Sequence, residues 1–259
     1  MTSRPFLVAA AACLAGACIL VPPTSATARE IAAWFVRPAM LPFAWSAFNE
    51  ASRRGDATET FARAQQIMHL LPSWTDGHSV FAYRFALDGG SLATTSAERA
   101  SAAQRRLQIA LAWLESARAL AGRREGELLQ TMAFLPEVAV AQEPGLGELL
   151  RPIGGPAAMA DTYLAEAEAL SPTAAVREQR TFLGPNLAAG FLAAGDRQRA
   201  LLVLDTAIVR SADVRDRGLA TEWRDRLDEV RRWLRGEATV DLAAVAVDAR
   251  MAPLLPYLR

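Results

Sequence analysis

The residue types that most often carry out chemistry are sparse in this sequence. It contains two histidines, His69 and His78, and a metal ion held between them would need further ligands. No carboxylate stands at ligand spacing from either histidine on one helix face. Asp76 and His78 could form an acid–base pair, although Asp76 is explained more simply as a first-turn acid that suits the positive end of a helix dipole. We therefore predict that both histidines are surface or packing residues.

Motifs of known catalytic and nucleotide-binding sites are also missing. The sequence has no G-x-S-x-G elbow, no phosphate-binding loop and no dinucleotide fingerprint. We expect no catalytic residue, no cofactor and no metal ion. The 28 basic residues, all arginine, balance 28 acidic residues, and acids stand among paired arginines such as Arg105-Arg106. This mixture indicates solvated helix faces, so a nucleic-acid partner is not expected.

The first 28 residues have the composition of an export signal. Arg4 precedes an uninterrupted apolar run over residues 6–21, prolines follow that run, and residues 26–28 (Ala-Thr-Ala) precede Arg29. This order is typical of a secretory signal peptide with an A-x-A cleavage site. The run is slightly short for a bilayer span, which needs about 20 residues, but an uncleaved anchor that contacts the membrane stays open. Either alternative predicts an exported protein of the periplasm or cell envelope.

A pattern of small and large apolar residues recurs along the chain. Ala200, Leu204 and Ala207 are four and three positions apart, so they share one helix face. Alanine on that face lets a neighbouring helix come close, and leucine fills the groove between the two helices. The same spacing occurs at Ala110-Leu114-Ala117-Leu120 and at Ala160-Leu164-Ala167-Leu170. Because hydrophobic residues make up 52% of the chain and aromatic ones only 7%, this pattern predicts an all-α protein.

One stretch carries a known repeat signature. A helical pattern ends at a turn glycine, Gly55, and a second helical pattern ends at Pro72. This arrangement resembles the tetratricopeptide repeat, a two-helix unit of about 34 residues, and the resemblance is strongest over 41–74 and 181–212. Residues 29–42 would form a short helix ahead of the first repeat. Matching alanines farther along are 50 and 40 residues apart, so the other repeats are degenerate and carry insertions. The resemblance implies an antiparallel helix-pair, right-handed solenoid.

The expected solenoid spans residues 29–235. The segment 143–156 is predicted to be an inserted loop, or else a domain boundary, because regular helix is disfavoured at its density of glycine and proline. Just before it, Pro136 predicts a kink or a break. The charged helix Arg217–Arg235 would give the last repeat a polar outer face. Residues 236–259 are predicted to be a C-terminal tail, with a short helix followed by an apolar, extended end.

The resemblance implies a non-catalytic scaffold that binds a protein or peptide partner on the concave face of stacked helix pairs. The predicted partner-binding residues are Trp45, Asn49, Arg53, Tyr83, Arg84 and Asn186. Two other functions stay open. The chain could be an accessory subunit of a membrane-bound complex, anchored by its N-terminal helix and docked through residues 254–257. It could also be an envelope enzyme with a cleft under the 143–156 segment.

Overall fold

The computed structural model describes residues 25–87, 95–237 and 239–258, with side chains from residue 39 onward except that of Ala244. These residues form helices and no strand, which confirms the prediction of an all-α fold. The chain divides into two compact units, Met1–Trp74 and Thr75–Arg259. None of the helices in the described ranges combines the length and the apolar character needed to cross a membrane.

The first unit is a pair of packed helices, α1 (Ser25–Arg53) and α2 (Ala57–Leu70), joined by a tight turn. Gly55 has a φ of 71° in this turn, a left-handed value that a residue with a Cβ rarely adopts. Asp56 then caps α2, because its carboxylate accepts the backbone N–H of Glu59 at 2.9 Å. The buried apolar residues of this unit include Phe48, Ala51, Ala64, Ile67 and Met68.

Helix α1 is longer than the sequence predicts. The short helix expected over residues 29–42 is part of one continuous helix that begins at Ser25 and passes through Pro38 and Pro42. Proline fixes φ near the helical value while it removes one N–H donor, so it weakens a helix without forbidding it. The apolar run over residues 6–21 lies outside the described residues.

The second unit contains the remaining helices. They are α3 (Thr75–Leu87), α4 (Ser96–Ala121), α5 (Glu125–Gln142), α6 (Gly145–Leu150), α7 (Gly155–Leu170), α8 (Ala174–Ala193), α9 (Arg197–Arg210), α10 (Arg217–Arg235) and α11 (Leu242–Val247). A 3-10 helix, Ala249–Tyr257, follows α11. The helices pack in chain order, α3 on α4, α4 on α5, α5 on α7, α7 on α8, α8 on α9 and α9 on α10.

The recurring alanine–leucine pattern marks the buried face of three of these helices. Ala200, Leu204 and Ala207 of α9 are almost completely buried, and so are the matching residues of α4 and α7. Leu120 and Leu170, which end the predicted pattern in α4 and α7, are instead about half exposed. Each lies in the last turn of its helix, beyond the final buried alanine.

Helices α8 and α9 approach each other closely because a glycine stands at their contact. A Cβ built on Gly184 of α8 would lie 2.7 Å from the Cβ of Ala207 on α9, which is too close for two carbon atoms. One turn before Gly184, the buried hydroxyl of Thr181 donates to the backbone carbonyl of Arg210 at 3.1 Å. Between these two contacts the residue number falls from 184 to 181 on α8 while it rises from 207 to 210 on α9, so the helices are antiparallel.

The proline- and glycine-rich part of the chain is more helical than predicted. Helix α5 runs through Pro136 without ending there. Most of the segment 143–156 is also helical, since it contains α6, a 3-10 turn at Arg151–Ile153 and the first residues of α7. Its prolines stand at or near helix starts, and Gly154 takes a left-handed φ of 90° just before α7. Both residue types are favoured at helix boundaries, which explains their density here.

The C-terminal residues pack into the second unit and do not form an extended tail. Met251 and Leu254 of the 3-10 helix are fully buried, in one cluster with residues of α8, α9 and α10. Leu254 belongs to the segment predicted to dock another protein, so that segment is in large part committed to the core of the chain itself.

Arg250 fastens this 3-10 helix to its neighbours. The carbon at the centre of its guanidinium lies 4.4 Å from the ring centroid of Phe182 and 4.9 Å from that of Trp223. The guanidinium also donates to the carboxylate of Asp248 at 2.9 and 2.7 Å. These hydrogen bonds lower the pKa of Asp248 below its ordinary value.

Candidate functional site

Helices α3 and α5 lie side by side and run in the same direction. The hydroxyl groups of Ser79 and Thr131 are hydrogen-bonded at 3.0 Å near the middle of the contact. At the N-terminal end of the contact, Asp76 and Arg124 form an ion pair at 2.6 Å. At the C-terminal end, the Gln142 amide donates a hydrogen bond to the backbone carbonyl of Leu87 at 3.2 Å. Residue numbers rise together along both helices, so their side chains are in parallel register.

An apolar surface flanks this contact, and we name it the α3–α5 face. Its residues are Val80, Tyr83, Phe134 and Val138. Val80 and Tyr83 are three residues apart on α3, and Phe134 and Val138 are four apart on α5, so each pair shares one face of its helix. In the sense of the helix turn, the first pair lies roughly 100° and 40° past Ser79 and the second roughly 60° and 20° before Thr131. Because the two helices are parallel, both pairs lie on the same side of the Ser79–Thr131 contact. The exposed fractions of Val80, Phe134 and Val138 are 56%, 37% and 39%. Tyr83 is half-buried, and burial raises the pKa of its phenol.

Glu137 connects the α3–α5 face to helix α8. Its side chain is half-buried, with the exposed residues Phe134 and Val138 on one side and helix α8 on the other. Burial raises the pKa of this carboxyl above its ordinary value, and the hydrogen bond donated by the Asn186 amide lowers it in part. In the ranges that the structure describes, no arginine forms an ion pair with Glu137. This carboxylate is therefore partly shielded from water, and an amide is its only side-chain partner in the part of the chain that the structure describes.

Helix α7 supports this arrangement, because it packs against both α5 and α8. Arg180 of α8, whose side chain is mostly buried, donates to Asp161 at 2.9 Å and to Glu168 at 2.6 Å on α7. At the other end of α8, a Cβ on Gly190 would lie 2.8 Å from the backbone oxygen of Gly154. These contacts fix α8 relative to α7, and so they hold Asn186 within reach of Glu137.

The predicted partner-binding residues fall in different places. Trp45 packs edge-on within the first unit, its ring centroid 5.6 Å from that of Phe48 and 6.1 Å from that of Trp74. Asn49 and Arg53 are exposed on the same helix, and a terminal nitrogen of Arg53 lies 3.6 Å from a carboxylate oxygen of Glu50. Trp45 thus contributes to packing, whereas Asn49 and Arg53 belong to a solvated helix face.

The other three predicted residues lie in the second unit. Tyr83 is part of the α3–α5 face, Arg84 is half-buried in the last turn of α3, and Asn186 binds Glu137. Sequence reasoning missed Phe134, Glu137 and Val138. A signal was available, because Glu137 is the one charged residue in the stretch 128–142.

The two histidines are placed as predicted. His69 is exposed at the end of α2, and His78 is buried in α3 with its ring centroid 5.7 Å from that of Trp113. Within the described residues, no group of three or more histidine, cysteine, aspartate or glutamate side chains is arranged to hold a metal ion. Glu148 and Arg151 of the 143–156 segment form an exposed ion pair with each other, and Glu143 pairs with Arg99.

Comparisons with protein-family models, with curated proteins and with solved structures found no match for this chain.

Proposed function

We propose that this protein is a non-catalytic scaffold of the cell envelope that binds a partner protein or peptide on a tetratricopeptide-like array of helix pairs. The observation that carries the proposal is the α3–α5 face. Large apolar side chains on two neighbouring helices are exposed there around a half-buried tyrosine. Apolar and aromatic side chains that cluster on an ordered helical surface are typical of protein-binding sites.

The ion pairs and close glycine contacts around α7 and α8 support a rigid surface. A scaffold whose binding face is already ordered loses little conformational entropy when it binds, so a modest contact area can give useful affinity. Recognition would then follow from the shape and the polar groups of the first helices of each pair, as in other binding surfaces made of packed helices.

Site-specific photocrosslinking in the native cell tests this proposal. A benzophenone amino acid at Val80 or Val138 should give a discrete crosslinked adduct with a partner protein. The same group at Leu202, which is exposed on α9, serves as the matched control and should give none. Equal labelling at Leu202, or no adduct at the two positions on the α3–α5 face, would refute the proposed surface.

The envelope location rests on residues 1–28 and needs its own experiment. Intact mass of the native protein from fractionated cells should begin at Arg29 and come from the soluble envelope fraction. A full-length mass in the membrane fraction would favour the alternative of an accessory subunit tethered by residues 6–21. The enzyme alternative has less support, since the polar residues of segment 143–156 pair locally or with α4 and do not converge.

A further inference from the structure

We propose that Glu137 recognises a cationic side chain of the partner, so that the partner segment carries an arginine or lysine next to apolar residues. This inference deepens the proposed function and rests on it. It begins from the juxtaposition of two features. The first is a half-buried carboxylate that forms no ion pair within the described residues, and the second is the α3–α5 face beside it, with its exposed Phe134 and Val138.

Several other partly buried acids of the second unit are paired with arginine. Glu168 accepts from Arg180 at 2.6 Å, and Asp248 accepts from Arg250 at 2.7 Å. Such pairing offsets the cost of moving a charge out of water. Among the described side chains, Glu137 receives only the amide of Asn186, which donates a hydrogen bond but supplies no positive charge. The fold therefore leaves one partly buried charge uncompensated on the face where we expect a partner.

An arginine or lysine side chain of the partner fits this position through both its charged group and its alkyl stem. A guanidinium or ammonium group would form a charge-assisted hydrogen bond with the carboxylate, and burial by the partner would strengthen that bond. The alkyl stem of the same side chain would cover apolar surface, and its charged head could lie over the ring of Phe134. Apolar residues beside the cation would fill the rest of the α3–α5 face. An acidic partner segment is disfavoured, since it would place like charges together.

Peptide display on the purified full-length protein tests the inference without knowledge of the natural partner. The probe is a library of random linear peptides, selected on the wild-type chain and, in parallel, on the Glu137→Gln and Asp225→Asn variants. Asp225 is an exposed acid on α10 and serves as the control for loss of one negative charge. We expect peptides from the wild type and from D225N to be enriched in arginine or lysine next to apolar residues, and peptides from E137Q to lose that preference.

Affinities of one selected peptide give the quantitative test. By fluorescence polarisation, Glu137→Gln should weaken binding by roughly ten- to a hundredfold, the usual effect of removing a charged hydrogen-bond partner, while D225N leaves it unchanged. Replacing the basic residue of the peptide by glutamine should cause a similar loss on the wild type and little further loss on E137Q. The melting temperature of E137Q should not fall, which separates recognition from a role in folding.

The possible failures are distinguishable. In one case, the selected peptides carry no basic residue and bind E137Q as tightly as the wild type, but they bind the Phe134→Ala variant poorly. This result would overturn the role of Glu137 and would leave the α3–α5 face as the binding surface. A selection that enriches no peptides, or only peptides indifferent to Phe134→Ala, would overturn both the inference and the proposed surface.

Discussion

The contact between Gly184 and Ala207 offers the sharpest test of how α8 and α9 pack. Gly184→Ala adds one Cβ, and that atom would lie 2.7 Å from the Cβ of Ala207. Such a distance forces the helices apart or strains the backbone. The reverse change on the facing helix, Ala207→Gly, removes the atom that would be struck. A double-mutant cycle of these two substitutions therefore isolates the steric contact.

The expected magnitude follows from the separate effects. Alanine in place of glycine within a helix stabilises by about 1 kcal/mol, and overpacking a tight core costs about 1–3 kcal/mol. Pro185 adds a further penalty, because a residue before proline is disfavoured in the helical region once it carries a Cβ. The propensity gain and the proline penalty do not depend on Ala207, so they cancel in the cycle. We expect a coupling energy of about 1–3 kcal/mol, with G184A less harmful in the A207G background.

Differential scanning calorimetry suits this measurement, since it can resolve separate transitions of the two units. For a unit of this size, 1 kcal/mol corresponds to a shift in melting temperature of about 2–4 °C. Gly126→Ala on α5 is the control, because a Cβ there meets nothing within 4 Å and should be neutral or stabilising. If G184A melts at the same temperature as G126A, or if its effect is the same with and without Ala207, the close approach of α8 and α9 is refuted.

Three further predictions concern stability. Burial raises the pKa of Glu137 in the folded state, so ionisation of this carboxyl destabilises the protein as the pH rises through that pKa. The Glu137→Gln variant should therefore melt at a higher temperature than the wild type at pH 7, and the difference should be smaller at pH 4. An equal difference in melting temperature at the two pH values would contradict this reasoning. Arg250→Ala removes the contacts that hold the C-terminal 3-10 helix against Phe182 and Trp223, so amide hydrogen exchange should accelerate at residues 249–257. Unchanged protection of these amides would show that the Arg250 contacts are not needed to hold the 3-10 helix in place. Leu204→Ala empties a fully buried site and should lower the free energy of unfolding by about 2–5 kcal/mol, while the exposed Leu202→Ala should change it by less than about 0.5 kcal/mol, as denaturant titration can measure.

The sequence predicts the local structure well where one helix face alternates small and large residues. Ala200, Leu204 and Ala207 could be assigned to a buried face from spacing alone, because helix geometry fixes which residues share a face. The helix Arg217–Arg235 was predicted at the bounds that the structure has, since polar and apolar residues separate so clearly along it. Such predictions need no knowledge of what covers the face.

Glycine and proline were harder to interpret, because their effect depends on position within an element. In the segment 143–156 they stand mainly at helix starts and turns, while Pro136 lies inside α5, and composition cannot distinguish these cases. The 3-10 helix at Ala249–Tyr257 was missed for another reason. Its apolar residues gain their stability from contacts with α8 and α10, which are distant in sequence.

The candidate site illustrates the same limit from the functional side. Asn186 could be named from its type, but its relation to Glu137 arises only when α7 packs against both α5 and α8. What the sequence does contain is an isolated charge in an apolar helix. In a chain whose partly buried acids are often joined to arginine, a carboxylate held by an amide alone is costly to the fold, and a costly feature beside an exposed apolar surface is best explained by a partner that compensates it. At pH 7 the melting temperature of E137Q should therefore be higher than that of the wild type, while its affinity for the selected peptide should be lower.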